Sequence, residues 1–226
     1  MKVTMKWASM LLIFLAVACS QEGKKVEATE AKKAPETTQP TANEAVYALN
    51  KGTLNWTGSK LLGTSSHNGT ISVATGMIKA IGNQITSGQF TIDMASINNL
   101  DLEAGQGKEK LEGHLKSPDF FDVAQFPSAS FEVTAAAPVT GQEDITHNIT
   151  GNLTLKNVTK SITFPANVAI IGNKITAVSP AFKIDRTQWG VEYGSESIAG
   201  LAKDKVISNE IALVLNIEAS SNAPVQ

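Results

Sequence analysis

The sequence predicts an all-β protein with about eight antiparallel strands and one short helix. Apolar and polar residues alternate with a period of two through most of the chain from Tyr47 onward, which is typical of strands with one buried face. Turn pairs such as Asn68-Gly69, Gly82-Asn83 and Gly172-Asn173 separate the alternating runs. Residues 103–126 interrupt this pattern. A sandwich and a barrel both satisfy these observations.

Eight alternating runs account for the strands. In chain order they cover residues 54–58, 71–81, 90–94, 129–133, 145–155, 162–170, 178–184 and 207–217. The clearest run is 145–155, where mostly apolar residues occupy the odd positions and threonine and asparagine occupy the even ones. One face of each strand is therefore expected to point inward. A closed barrel of about eight strands has no exposed edges and is wide enough to hold one small ligand.

A weak helix and an aromatic loop interrupt the strands. Residues 103–116 are helix-like, but each of the three glycines among them costs about 1 kcal/mol relative to alanine. Tertiary packing must therefore stabilise this helix. Ser117-Pro118 ends it, because the residue before a proline is pushed out of the helical region. Phe120 and Phe121 follow directly, and we expect the helix and loop to plug one end of the strand framework.

The first 18 residues have the pattern of an export signal. Lys2 and Lys6 precede an apolar run at 7–17, which is shorter than the roughly 20 residues needed to span a bilayer. Small residues precede Cys19, the single cysteine of the chain. This pattern resembles a bacterial lipoprotein signal, in which the cysteine is acylated. It predicts an exported, membrane-anchored protein of the cell envelope, on the periplasmic or cell-surface side; ordinary cleavage leaving a free thiol is the alternative.

The chain is expected to divide into four regions. Residues 1–18 form the signal peptide, and residues 19–45 form a flexible tether, because charged residues, threonine and alanine dominate them. Residues 46–220 form one folded barrel domain, and residues 221–226 form a polar tail. The formal net charge of −2 argues against a nucleic-acid partner, which needs a basic surface.

The histidines do not form a recognisable metal or catalytic motif. His67, His114 and His147 are far apart in the sequence, and no cysteine or paired carboxylate joins them at ligand spacing. We therefore expect no metal and no catalytic residues. His147 lies on the apolar face of its run, which favours a core histidine or a polar contact to a ligand head.

Several ordered motifs resemble the YceI-like family. Residues 114–122 read HLKSPDFFD and are followed by Phe126-Pro127; residues 151–160 read GNLTLKNVTK; residues 186–191 read RTQWGV. The closing strand within 201–219 also matches, so the resemblance covers roughly residues 47–219. The sequence departs from the family pattern at Glu112-Gly113 and around His67.

The resemblance implies a lipocalin-like antiparallel barrel with an elongated apolar cavity for a polyisoprenoid, quinone or fatty-acid derivative. The expected function is non-catalytic binding or carriage of this lipid, with no cofactor, a membrane contact through acylated Cys19, and a homodimer as an open possibility. A structural or stress-related envelope domain with a filled barrel, and an enzyme using His114 or His147 as base, remain alternatives. The predicted ligand-binding residues are Phe90, Ile92, Phe120, Phe121, Phe131, Val133, His147, Ile149, Leu153, Phe164, Val168, Leu213 and Leu215.

Overall fold

Eight antiparallel strands close into a barrel in the computed structural model of the chain, which describes residues 23–35, 43–198 and 200–221. The barrel order is β3-β4-β5-β6-β7-β8-β9-β11, and β11 pairs back onto β3. This confirms the predicted barrel and rules out the sandwich. The strands are β1 (Lys24–Lys25), β2 (Thr29–Glu30), β3 (Ala45–Lys60), β4 (Ser66–Ile81), β5 (Gln84–Asn99), β6 (Ser128–Pro138), β7 (His147–Leu155), β8 (Val158–Ile171), β9 (Lys174–Val178), β10 (Phe182–Asp185) and β11 (Ile207–Ser220).

Two short strands share one side of β11. The part of β11 from 216 to 220 pairs with β9, whereas the part from 210 to 213 pairs with β10. β9 continues the barrel to β8 through residues 167–171. Within the described residues, no ladder joins β10 directly to β8. The wall therefore has a seam between β8 and β10 at one end of the barrel.

The N-terminal segment fills this seam. β1 pairs in parallel with β10, and β2 pairs antiparallel with β8. Residues 24–25 and 29–30, which composition assigned to a flexible tether, therefore form short strands. The composition argument counts apolar side chains, whereas backbone ladders and one side-chain amide hold this segment in place. The predictions for residues 1–22, 36–42 and 222–226 lie outside the described residues.

The turn residues in the sequence predicted some of the strand boundaries correctly. Gly82 and Gly172 have φ angles of 57° and 58° and lie in the turns β4–β5 and β8–β9, as predicted. The predicted turn at Asn68-Gly69 is wrong, because both residues lie inside β4. A Cβ on Gly69 would come within 2.7 Å of the Trp56 ring. This glycine is thus explained by close packing and not by a turn.

The one α-helix among the described residues, α1 (Lys108–Lys116), is shorter than predicted. The expected start at residue 103 is wrong because Gly105 and Gly107 adopt φ angles of 75° and 105°, outside the helical region. Glu112 accepts a hydrogen bond from the Asn99 backbone N–H at 2.8 Å, and this contact ties α1 to the end of β5. A short 3-10 helix (Arg186–Trp189) follows β10. No helix within the described residues is long and apolar enough to cross a bilayer.

Candidate functional site: an apolar cavity in the barrel

The barrel interior contains two adjoining apolar cavities. The first has a volume of about 200 Å³ and the second about 100 Å³. Four residues contribute to the walls of both: Leu54, Ile92, Leu153 and Leu213. Since the two spaces share these side chains, they form one elongated apolar interior with a narrowing in the middle.

The helix and the aromatic loop cover the first cavity. Leu111 and Leu115 of α1 line it, together with Phe120 and Phe121 of the loop. Phe120 is buried, whereas Phe121 is half-buried. The predicted plug at one end of the barrel is thus present, and it is built from the predicted segment.

Twelve of the thirteen predicted ligand-binding residues line one or both cavities. His147 lines neither: it lies at the first position of β7, where its Nδ1 is 2.9 Å from the Thr146 hydroxyl. Burial lowers the pKa of this imidazole. The residues that line the cavities are Phe90, Ile92, Phe120, Phe121, Phe131, Val133, Ile149, Leu153, Phe164, Val168, Leu213 and Leu215. The alternation of the strands identified the inward face, but not the height of a residue along the barrel axis.

Arg186 is a buried cation in the wall of the first cavity. The side chain is only 1% exposed. Its guanidinium donates hydrogen bonds to the backbone carbonyls of Val191 at 2.6 Å, Ser208 at 3.1 Å and Ile207 at 3.3 Å. It also lies 5.9 Å from the centre of the Phe120 ring, within the range of a cation–π contact. Burial lowers the pKa of this guanidinium, and the charge of neighbouring Asp185 opposes the shift.

An aromatic cluster joins the plug to the loop that precedes β11. The His114 ring packs edge-on against Phe120 at 5.0 Å and against Tyr193 at 4.7 Å between ring centres. Its Nε2 lies 3.1 Å from an Asp119 carboxylate oxygen. His114 therefore has a packing role in this cluster.

A polar cluster braces the rim of the first cavity. His67 Nδ1 lies 2.8 Å from Asp101, which also accepts hydrogen bonds from the Asn68 backbone at 2.8 Å and from the Asn99 amide at 2.6 Å. Burial alone would raise the pKa of Asp101, but these hydrogen bonds outweigh it and lower the pKa to about 2. The carboxylate is thus held in its charged form as a structural acceptor.

Sequence reasoning missed several cavity residues. Trp56, Ile71, Met94 and Ile184 follow the same period-two pattern as the chosen residues, so the pattern was sufficient to find them. Arg186 is different. It belongs to a family-like motif, but nothing in the sequence shows that the chain folds it into an apolar wall.

Within the described ranges, no group of three or more histidine, cysteine, aspartate or glutamate side chains is arranged to hold a metal ion. The polar residues that line the first cavity include Arg186, His67 and Lys60, together with three serines. The Lys60 ammonium donates to the Lys205 carbonyl at 2.9 Å. The chemistry available at this site is apolar contact and hydrogen bonding at one end.

Comparison with known proteins agrees with this geometry. Residues 46–219 match the YceI-like domain. A UPF0312 protein of Pseudomonas putida (strain W619) is 38% identical over 86 residues, which is 35% of this chain and 43% of that protein. A UPF0312 protein of Azotobacter vinelandii is 35% identical over 86 residues, which is again 35% of this chain and 43% of that protein. The match thus spans less than half the length of these curated relatives.

Two solved structures have the same fold. BcnA of Burkholderia cenocepacia superimposes with a TM-score of 0.56 at 22% identity, over 75% of this chain and 96% of that one. A polyisoprenoid binding domain from Saccharophagus degradans superimposes with a TM-score of 0.55 at 19% identity, over 78% of this chain and 99% of that one. Because the domain match extends over nearly all of the barrel, the chain belongs to the YceI-like family.

Proposed function

We propose that this protein binds one long-chain apolar lipid inside the barrel and carries or sequesters it without catalysis. The observation that carries the proposal is the pair of adjoining apolar cavities, which run past Leu54 and Leu213 through the barrel interior. Their combined volume is near the lower end of the roughly 300–1,000 Å³ range of ligand pockets. Transfer of an apolar chain from water into this space is favourable at about 25 cal/mol per Å² of buried apolar surface, before ordering costs.

The lipid is oriented with its polar head at the first cavity. Three of the five N–H groups of Arg186 donate to backbone carbonyls, and arginine keeps its positive charge at all physiological pH values. Its remaining N–H groups suit an oxygen atom of a ligand. The second cavity is lined by carbon-rich side chains such as Phe131, Phe164 and Val168, and it takes the chain end.

A polyisoprenoid, a quinone or a fatty-acid derivative fits this arrangement. The Saccharophagus degradans structure with the same fold is described as a polyisoprenoid binding domain. This supports a polyisoprenoid as the first candidate, by analogy of fold.

We further propose that Cys19 is acylated and anchors the protein to a membrane of the cell envelope. The support comes from the sequence alone: an apolar run ends at the single cysteine of the chain. Two or more acyl chains hold a protein stably on a bilayer. Incorporation of labelled palmitate into the wild type but not into a Cys19→Ala variant is the expected result.

The decisive experiment is organic extraction of the purified protein followed by mass spectrometry. We expect an apolar lipid in the extract at up to one molecule per chain. We also expect the extracted protein to take up geranylgeraniol, a chain of four isoprenoid units. A lipid-free extract together with failure to take up geranylgeraniol would contradict the proposal and favour a structural domain with a filled barrel.

A further inference from the structure

The seam between β8 and β10 is closed by a segment that precedes the family domain. The YceI-like match begins at residue 46, whereas residues 23–32, here called the strap, lie across the seam. The strap pairs with β10 on one side and with β8 on the other. It is therefore an addition to the family barrel, placed where the described strands leave the wall unjoined.

Specific contacts hold the strap at both ends. The Val26 N–H donates to the Lys183 carbonyl at 2.8 Å beside β10. At the other end, the Asn152 side chain makes two hydrogen bonds to the backbone of Lys32, at 2.9 Å and 2.7 Å. Asn152 is only 9% exposed, and it recognises an extended backbone with both its carbonyl and its amide group. The strap is thus docked in a defined register.

The strap makes few contacts with its neighbours compared with the strands of the barrel. β1 and β2 have two residues each and exposed side chains, whereas β3 has sixteen residues. Only Val26 and Ala28 of the strap pack against the core. Lys160 pairs with Glu30 at 2.7 Å, but the Glu30 side chain is 91% exposed, so this ion pair adds little. Segments with few buried contacts open at a lower free energy than the global fold.

Cavity-lining side chains lie directly behind the strap. Phe164 of β8 and Phe182 of β10 stack with their ring centres 4.5 Å apart and their planes 6° from parallel. Both line the second cavity. Ile184 of β10 lines the first cavity. This ring stack therefore remains between β8 and β10 if the strap leaves the seam.

We propose that the strap is a lateral gate: its displacement opens the β8–β10 seam, and the apolar chain of the ligand enters the barrel through the side. The inference rests on the proposed lipid-binding function and goes beyond it, since it specifies the route of entry. Sliding an apolar chain through a side seam avoids threading it past Arg186 and the rim cluster at the plugged end.

The position of Cys19 fits this route. Three residues lie between Cys19 and Gly23 at the start of the strap, and the four Cα–Cα steps from Cys19 to Gly23 span at most about 14 Å when fully extended. An acyl anchor at Cys19 would hold the seam within that distance of the bilayer surface. A lipid leaving the membrane would then meet the gate before it meets the plugged end.

A disulfide that locks the strap tests the gate. Thr29 and Ser161 are directly paired across β2 and β8, and directly paired residues on adjacent antiparallel strands lie within disulfide range. The Ser161 hydroxyl is buried and has no hydrogen-bond partner among the described residues, so its loss breaks no hydrogen bond. The full chain carries Cys19→Ser with Thr29→Cys and Ser161→Cys, so that the introduced thiols are the only ones.

Uptake is followed by tryptophan fluorescence, since Trp56 lines the first cavity, after mixing with phosphatidylcholine vesicles that contain geranylgeraniol. We expect the oxidised variant to take up the lipid at least tenfold more slowly than its reduced form, with the same final amplitude. An Asn152→Ala variant, which releases Lys32, should take it up several-fold faster.

The matched control is Thr150→Cys with Thr163→Cys, a pair that joins β7 to β8 through hydroxyls 2.8 Å apart and does not touch the strap. Oxidation of this control should leave the rate unchanged. Equal rates for the locked and reduced strap would overturn the gate while leaving lipid binding intact. Absence of uptake in every protein, wild type included, would instead overturn the lipid-binding function and the gate with it.

Discussion

At the scale of single residues, two glycines make room for two of the aromatic rings that line the second cavity. A Cβ on Gly151 would lie 2.3 Å from the Phe131 ring, and one on Gly76 would lie 2.3 Å from the Phe90 ring. Each ring therefore occupies the space that a side chain on the neighbouring strand would need. The sequence placed Gly151 on the apolar face of its run, but it did not reveal that the missing side chain is what lets Phe131 occupy its position.

Replacement of Gly151 by alanine should lower the free energy of unfolding by about 1–3 kcal/mol, the usual cost of overpacking. The added methyl group would also meet the Glu132 carbonyl at 2.6 Å, and a backbone atom cannot move aside as a side chain can. Gly113→Ala is the control, because nothing lies within 4 Å of that position in α1. It should raise stability by up to about 1 kcal/mol. Urea unfolding measures both; equal stability of Gly151→Ala and wild type would contradict the packing argument.

At the scale of elements, the helix and the aromatic loop show which features a sequence pattern predicts and which it does not. The loop was predicted as a plug from its crowded phenylalanines, and the structure places Phe120 and Phe121 over the first cavity. The helix start was wrong, because backbone angles at two glycines decide it and composition does not. The strap was missed for a related reason: its ladder bonds and its contact with Asn152 use backbone groups, which every sequence possesses.

The two loop phenylalanines should have different roles. Phe120 is 7% exposed and packs against His114, Tyr193 and the Arg186 guanidinium. Phe120→Ala should therefore cost about 3–5 kcal/mol of stability, as for other buried phenylalanines. Phe121 is half-buried, so Phe121→Ala should lower the stability by less than Phe120→Ala does.

Ligand exchange separates these roles further. Phe121→Ala should speed the release of geranylgeraniol, because it removes apolar contacts with the ligand in the first cavity without removing the aromatic cluster. The control is Phe126→Ala, since Phe126 is also half-buried but lines neither cavity. Stopped-flow release and urea unfolding report the two quantities. Equal release rates for the Phe121 and Phe126 variants would show that Phe121 does not contact the bound ligand.

At the scale of the whole molecule, the wall of the barrel is held together unequally. Long strands, the plug and the rim cluster around Asp101 brace one part of the wall, whereas the β8–β10 seam depends on the strap. The antiparallel strands and their inward faces could be predicted, because strand alternation is local in sequence. The closed barrel was predicted from the resemblance to the YceI-like family, since alternation alone also fits a sandwich. The cavity volumes and the seam could not be predicted, since they depend on how side chains from distant strands meet and on which strands fail to pair.

One substitution tests whether the two cavities act as a single ligand site. Leu213 lies in the wall that both share, so Leu213→Phe should fill the narrowing between them. We expect stability within about 1.5 kcal/mol of wild type, because space is available for the larger ring. We also expect at least a tenfold weaker affinity for geranylgeraniol, because a chain of that length cannot then extend into the second cavity.

Val214→Phe is the matched control: Val214 neighbours Leu213 on β11 but lines neither cavity, so the affinity of this variant should be unchanged. Equal affinities of the two folded variants, measured by titration of Trp56 fluorescence, would mean that the ligand occupies the first cavity alone.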